Sequence, residues 1–176
     1  MEWLTEQERG ELFDHFQRDA FHLEMRDEYL VEDEVEPLRK WRAGRWTDEE
    51  AAEWWEPWLA KMRRVTGAGM TVRRLRIVSE PITDYTRFLW EGSRFNTSAG
   101  EEIRWLPRTE IPEGVELPPE DLWLFDDSQL IFNHFFEGTL SMRMERVSDP
   151  ALVALCVRAR DRLWPLATPH AEYKPA

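Results

Sequence analysis

The sequence predicts an α+β fold, with a mixed sheet of about five or six strands that is largely antiparallel toward its C-terminal half. Three observations point there. Residues 1–66 read mainly as helix with one strand, whereas residues 70–165 are rich in short strand-like runs and end in a helix. Tight-turn chemistry separates the later strands, as in an antiparallel meander. Apolar residues make up 42% of the 176 and aromatics 12%, enough for a packed core and too many for a disordered chain.

The elements follow in order. Thr5-Glu6-Gln7-Glu8 is a capping box opening a first helix, with Leu4, Leu12, Phe13 and Phe16 as its apolar stripe. Phe21 to Arg26 alternates with period two, setting Phe21, Leu23 and Met25 on one face and His22, Glu24 and Arg26 on the other. A short helix from Asp33 to about Gly44 carries Val35, Leu38 and Trp41. A second capping box, Thr47 to Glu50, starts a long helix toward Thr66, with a kink or break expected at Pro57. Val72–Val78 is strand-like, and Thr83 or Asp84 caps a helix bearing Tyr85, Phe88 and Leu89. Ser93–Gly100 reads as a polar loop before a short strand, Ile103–Leu106, and Pro107–Pro119 as a connection. Three strands follow, at Leu122–Phe125, Leu130–Phe136 and Thr139–Val147. Asp149-Pro150 starts the last helix, Pro165 ends it, and residues 168–176 read as a frayed tail. No repeat or linker divides the chain, so residues 1–176 are expected to form one domain.

Charge and motifs exclude more than they assign. Lys plus Arg total 23 against 35 Asp plus Glu, a formal net charge of -12, which argues against direct binding to nucleic acid or anionic membranes. There is no run of 18 apolar residues and no basic N-terminal segment before an apolar one, so a cytoplasmic location is expected. Cys156, the only cysteine, sits in an apolar helix and reads as a core residue. His15, His22, His134 and His170 show no metal-ligand spacing, and ordinary structural or surface roles are expected for all four. No phosphate-binding or dinucleotide loop and no nucleophile elbow is present, so neither cofactor nor metal is expected. Asp126-Asp127 suits a tight turn better than chelation, because adjacent strand residues face opposite ways.

One basic cluster stands out. On a strand, Arg74 and Arg76 share a face while Arg73 points away. Such a face either receives a phosphate or carboxylate or pairs internally, with Glu80 or Asp84 as nearby partners. The ten tryptophans supply groove or core walls. A tryptophan-lined groove near Arg74, Arg76, Tyr85 and Arg87 is therefore the expected ligand site, for a small anionic ligand.

Several segments carry a resemblance when taken together: Phe21-His22-Leu23-Glu24, Arg74 to Pro81, Asp84-Tyr85-x-Arg87-Phe88, Ala99-Gly100-Glu101-x-Ile103-Arg104 and Leu122 to Asp127. Over residues 11–165 the chain resembles an uncharacterised actinobacterial family of unknown function, often encoded near helix-turn-helix regulators. More distantly, the element order of the back half resembles a phospholipase D-like half-domain. Active members of that fold need His-x-Lys and a downstream Asp. This chain has no His-x-Lys, and matching Asp126 or Asp127 to that Asp sets the histidine position at Pro119 or Glu120. The resemblance thus implies a copy without phosphodiesterase chemistry.

Three functions are compatible with these residues. The first is a non-catalytic sensor or protein-interaction module, its partner a helix-turn-helix regulator. The second is an enzyme of unrecognised type using Glu24, Asp84 or Glu101 with an arginine, which requires them to converge in one pocket. The third is a structural homo-oligomer, such as a homodimer, joined by exposed tryptophans.

Overall fold

The computed structural model describes residues 1–176. One mixed sheet of eight strands forms its centre, in the order β1-β7-β6-β5-β2-β3-β4-β8. These are β1 (Glu2–Trp3), β2 (Asp19–Glu24), β3 (Thr71–Val78), β4 (Glu102–Pro107), β5 (Asp121–Phe125), β6 (Gln129–Phe135), β7 (Met142–Val147) and β8 (Thr168–Pro169). Only β2–β3 and β3–β4 pair in parallel; every other neighbour is antiparallel. The expected five or six strands become eight because two-residue strands close both edges. Neither is long enough to show an alternating pattern. β2, from the helical front of the chain, lies in mid-sheet between β5 and β3.

Helices cover both faces. One face buries Phe21, Leu23, Leu75, Ile77, Leu122 and Leu124 under Cys156 and Leu163 of α5 (Pro150–Leu163). The other carries α1 (Glu6–Glu11), α3 (Asp48–Gly67) and α4 (Asp84–Ser98), with α2 (Val35–Arg42) packed on α4. Thr5 and Thr47 form the capping boxes that their sequences announce. No helix is long and apolar enough to cross a membrane.

Four local expectations change. α3 continues unbroken through Pro57. Pro57 and Glu53, whose carbonyl loses its donor there, are both exposed, so water can serve that carbonyl. The polar run at 93–98 is the end of α4 rather than a loop. Its Ser93 hydroxyl donates to the Leu89 carbonyl, and the Asn96 amide donates to buried Glu101. The tail is not frayed: β8 pairs with β4, and Tyr173 stacks on Trp105 with ring centroids 5.3 Å apart. Glu80 and Asp84 are not the partners of the arginine strand; Glu80 accepts from Tyr173 and Asp84 faces Arg42. The turn at Asp126-Asp127 is as expected, with both residues at positive φ. Asp126 accepts backbone N–H bonds from Gln17, Arg18 and Asp19.

Candidate functional site

The strand registers order the helix-covered face into rows. Ala20, Val72 and Phe125 form an apolar row that packs with Leu59 and Met62 of α3. Two residues along each strand, the next row is Trp123, His22, Arg74 and Ile103. Another two residues along, Glu24 pairs with Arg76, and Asp121 pairs with Asn133. Period two thus takes β2, β3 and β5 from apolar to charged along the same face.

Over the polar rows the roof does not close. A cavity of about 270 Å³ remains between sheet and helices. Its floor is His22, Glu24, Arg74, Arg76, Asp121 and Asn133. Trp55 and Trp58 of α3 and Tyr85 and Leu89 of α4 form the roof. Tyr29, Val31 and Glu34, from the segment between β2 and α2, complete one side.

The arginines are held by a buried carboxylate network. Arg74 donates through Nε to Glu101 at 2.6 Å and through Nη1 to Glu24 at 2.6 Å. Its guanidinium lies over the rings of Trp58 and Trp123, 5.7 and 5.9 Å from their centroids. Arg76 Nη1 pairs with Glu24, and its guanidinium lies over Trp105. Glu101 is fully enclosed and also accepts from Trp58 Nε1 and the Asn96 amide. Burial opposes ionisation of Glu24, but the Arg76 and Arg74 charges outweigh it and hold the carboxyl well below its usual range. Burial likewise opposes charge on Glu101 and Arg74, and their mutual attraction drives Glu101 down and Arg74 up.

The other two carboxyls have no basic partner. Tyr29 donates its phenol proton to Asp121, and Tyr85 donates to Glu34. Asp121 also accepts the Met25 N–H at 3.0 Å. Burial pushes Asp121 up to about 7; the Tyr29 bond works against this and the Glu24 charge adds to it. Burial also raises Glu34, against the Tyr85 bond and with the Glu24 charge. His22 stacks on Trp123 at 4.1 Å, with Nδ1 at 2.8 Å from the Leu122 carbonyl and Nε2 at 3.0 Å from Glu24. Burial lowers its pKa.

Apart from Trp90 Nε1, which lies outside the cavity, three buried polar side-chain atoms find no hydrogen-bond partner: Arg76 Nε, Asn133 Oδ1 and Glu24 Oε2, the last an ion-pair contact only. All three residues line the cavity. Such groups are costly to leave empty-handed.

Of the residues expected at a ligand site, Arg74, Arg76 and Tyr85 share this cavity. Arg87 does not; it lies near enough to Tyr173 to act on that phenol. Of the three carboxylates considered for an enzyme, only Glu24 lines the cavity. Glu101 is sealed behind Arg74, and the Asp84 side chain is 74% exposed. His22, expected to be ordinary, is part of the floor. Asp121 was legible in principle, since the Asp121-x-Trp123 spacing puts it on one face with Trp123. Tyr29 and Glu34 come from irregular chain, where no period assigns a direction. No cluster of three or more His, Cys, Asp or Glu side chains is placed to hold a metal ion.

A family assignment covers nearly the whole chain: residues 7–175 match the domain of unknown function DUF6879. The chain belongs to that family. No curated protein matches it. Among solved structures it is similar to a phospholipase D family member, Nuc from Salmonella typhimurium, with a TM-score of 0.50 and 9% identity. That match covers 96% of this DUF6879 chain and 94% of the other, and at this identity it speaks for the fold alone. The chain contains no His-x-Lys sequence.

Proposed function

We propose that this DUF6879 domain is a non-catalytic sensor that takes a small molecule into the cavity between its sheet and α3/α4. One observation carries the reading: a cavity of about 270 Å³ lined by aromatic rings, into which buried polar atoms of Arg76 and Asn133 project without partners. A core polar network left partly unsatisfied is destabilising unless a ligand completes it. The non-catalytic part rests on the missing His-x-Lys and on His22, whose ring is stacked on Trp123 with both nitrogens facing acceptors of the protein itself, the Leu122 carbonyl and Glu24. The roof is made by α3 and α4, which also form surface, so occupancy can alter what a partner meets. That partner, in this reading, is a helix-turn-helix regulator in an actinobacterial cytoplasm.

Ligand-observed NMR with a small-molecule library tests the cavity, using the native protein and Asn133→Phe, whose ring fills it. Hits that bind the native protein and lose binding in the filled variant support the proposal. Hits that bind both equally sit elsewhere and overturn it.

A second reading has one observation in its favour. A carboxyl whose pKa lies at about 7, as for Asp121, suits proton exchange with a bound substrate. Conversion of a bound hit to product, lost in Asp121→Asn, would decide for an enzyme.

A further inference from the structure

The ligand class can be taken further, on the reading that the cavity binds a small molecule. The two arginines on the floor are already matched. Arg74 is shared by Glu24 and Glu101, and Arg76 pairs with Glu24. Two guanidiniums thus face two carboxylates, leaving no positive charge spare for an anion. Arg76 Nε, a single N–H, is the unengaged donor among the buried atoms of this floor.

Acceptors are in excess. Asn133 Oδ1 accepts no hydrogen bond, although Asn133 is only 4% exposed, whereas Glu24 Oε2 is met by the Arg76 ion pair alone. Asp121, opposite Asn133 on the neighbouring strand, and Glu34 form no ion pair, although the Arg26 charge acts on Asp121 and the Arg76 and Arg74 charges act on Glu34; each is held by a phenol. The charged group nearest to competing is Arg26, which sits at the rim over Phe135 and 3.8 Å from Glu120. Trp58 and Trp123 already face Arg74, but no cation covers the Trp55, Tyr29 or Tyr85 rings. Aromatic faces beside unpaired carboxyls form a surface that attracts a cation. The unpartnered amide oxygen adds a requirement: the cation must carry N–H donors.

We propose that the cavity binds a small organic ammonium ion, its N–H groups directed to Asp121 and Asn133, its carbon body against Trp55 and Tyr85, and an acceptor atom toward Arg76 Nε. A quaternary ammonium satisfies the charge but not the Asn133 acceptor. A carboxylate satisfies Arg76 but sets its charge against the ionised Glu24.

The test follows the tryptophan indole N–H signals of the whole domain by NMR as probes are titrated. Four suffice: 3-methoxypropylamine, tetramethylammonium, butyrate and the neutral cyclic urea imidazolidinone. The amine is expected to saturate the Trp55 and Trp58 shifts at millimolar concentration and to bind at least ten-fold tighter than tetramethylammonium or butyrate. Asp121→Asn is expected to weaken it ten-fold or more. Because the probe series needs no variant, a fold defect in Asp121→Asn leaves the ranking decisive. Butyrate binding as well as the amine overturns the cation assignment, and tetramethylammonium doing so overturns the N–H requirement. Imidazolidinone binding while the amine does not leaves the ligand cavity standing and sinks this inference; if no probe moves the indole signals, both fall.

Discussion

Replacing Glu101 by leucine should cost the fold about 3–5 kcal/mol, the range for breaking a buried ion pair from one side. Three donors converge on this carboxylate: Arg74 Nε at 2.6 Å, Trp58 Nε1 at 2.9 Å and the Asn96 amide at 3.0 Å. Leucine occupies similar space but leaves the Trp58 and Asn96 donors unpaired. It also leaves Arg74 to share Glu24 with Arg76, so two buried cations compete for one anion. Most of that cost is the uncompensated cation; relaxation lets the Trp58 and Asn96 donors recover part of the roughly 1–3 kcal/mol that a fully orphaned donor would cost. In a domain of this size the total corresponds to a Tm lowered by about 10 °C, read by circular dichroism alongside urea unfolding. Glu101→Gln, which keeps the shape and one acceptor, should lose about half as much. The pH dependence has a definite sign. The folded pKa of Glu101 lies below the ordinary glutamate value of 4.5, so its stabilisation is complete above that value and is lost as pH falls below it. The gap between the native protein and Glu101→Gln should therefore be largest near neutrality and shrink in acid. Adding Arg74→Met to Glu101→Leu should restore more than half of the loss, since the stranded cation is gone. A Glu101→Leu loss under about 1 kcal/mol, or strict additivity in the double variant, would refute the network as described.

Other measurements probe separate parts of the structure. Asp121 has a folded pKa of about 7 against an ordinary 3.8, so its folding advantage is present in acid and is lost as pH rises toward 7. At ~1.4 kcal/mol per pH unit, Asp121→Asn should gain up to about 4 kcal/mol on the native protein between pH 4 and pH 8. Tyr29, Glu24 and Arg26 are the titratable or charged groups acting on Asp121, and a gap that does not move with pH contradicts the burial argument. Gly100 lies at φ +100, where an added Cβ meets Thr66 Oγ1, so Gly100→Ala should destabilise by about 2–3 kcal/mol in urea unfolding. Burial pushes the Cys156 thiol up to about 12, so iodoacetamide should leave it unmodified in the native protein and alkylate it in urea. Tyr173→Ala removes the ring stacked on Trp105 and the bond to Glu80, and should lower stability by about 2–4 kcal/mol; a neutral result would return the tail to the frayed state that its composition suggests.

Much of the scaffold was legible because it rests on local rules. Thr5 and Thr47 announce their helices through capping boxes, and Asp126-Asp127 announces its turn through residues that tolerate positive φ. The facing of Arg74 and Arg76 away from Arg73 follows from period two alone, and Arg73 indeed pairs with Asp19 on the opposite face. The site was half legible for the same reason. Glu24, Arg74 and Arg76 declare a face, but nothing local says that β2 and β3 are neighbours or that Glu24 falls opposite Arg76. That register joins residues about 50 apart in the chain. Glu101 illustrates the limit: it follows a glycine in what reads as a polar loop, and only the tertiary fold makes it a fully enclosed carboxylate.

The ion network and the cavity follow from the same feature of the sheet. A row of charged side chains on a central sheet face cannot be packed by an apolar helix, because each head group needs partners that leucine and tryptophan bodies do not supply. α3 therefore meets the sheet closely at the Ala20, Val72 and Phe125 end and stands off where Glu24 and Arg76 begin. A protein needing only stability would do at least as well with apolar residues in those rows, since buried ion pairs seldom outperform well-packed hydrophobic replacements. Retaining Arg74, Arg76, Glu24 and Glu101 here keeps a preorganised polar floor open under an aromatic roof. Preorganisation lowers the cost of binding a small polar molecule, because the side chains are ordered before it arrives. The same logic ranks the variants. Apolar replacement of the full network should yield a protein at least as stable as the native one, with the cavity collapsed and ammonium binding gone. Retention of ammonium binding in that apolar variant would place the ligand elsewhere.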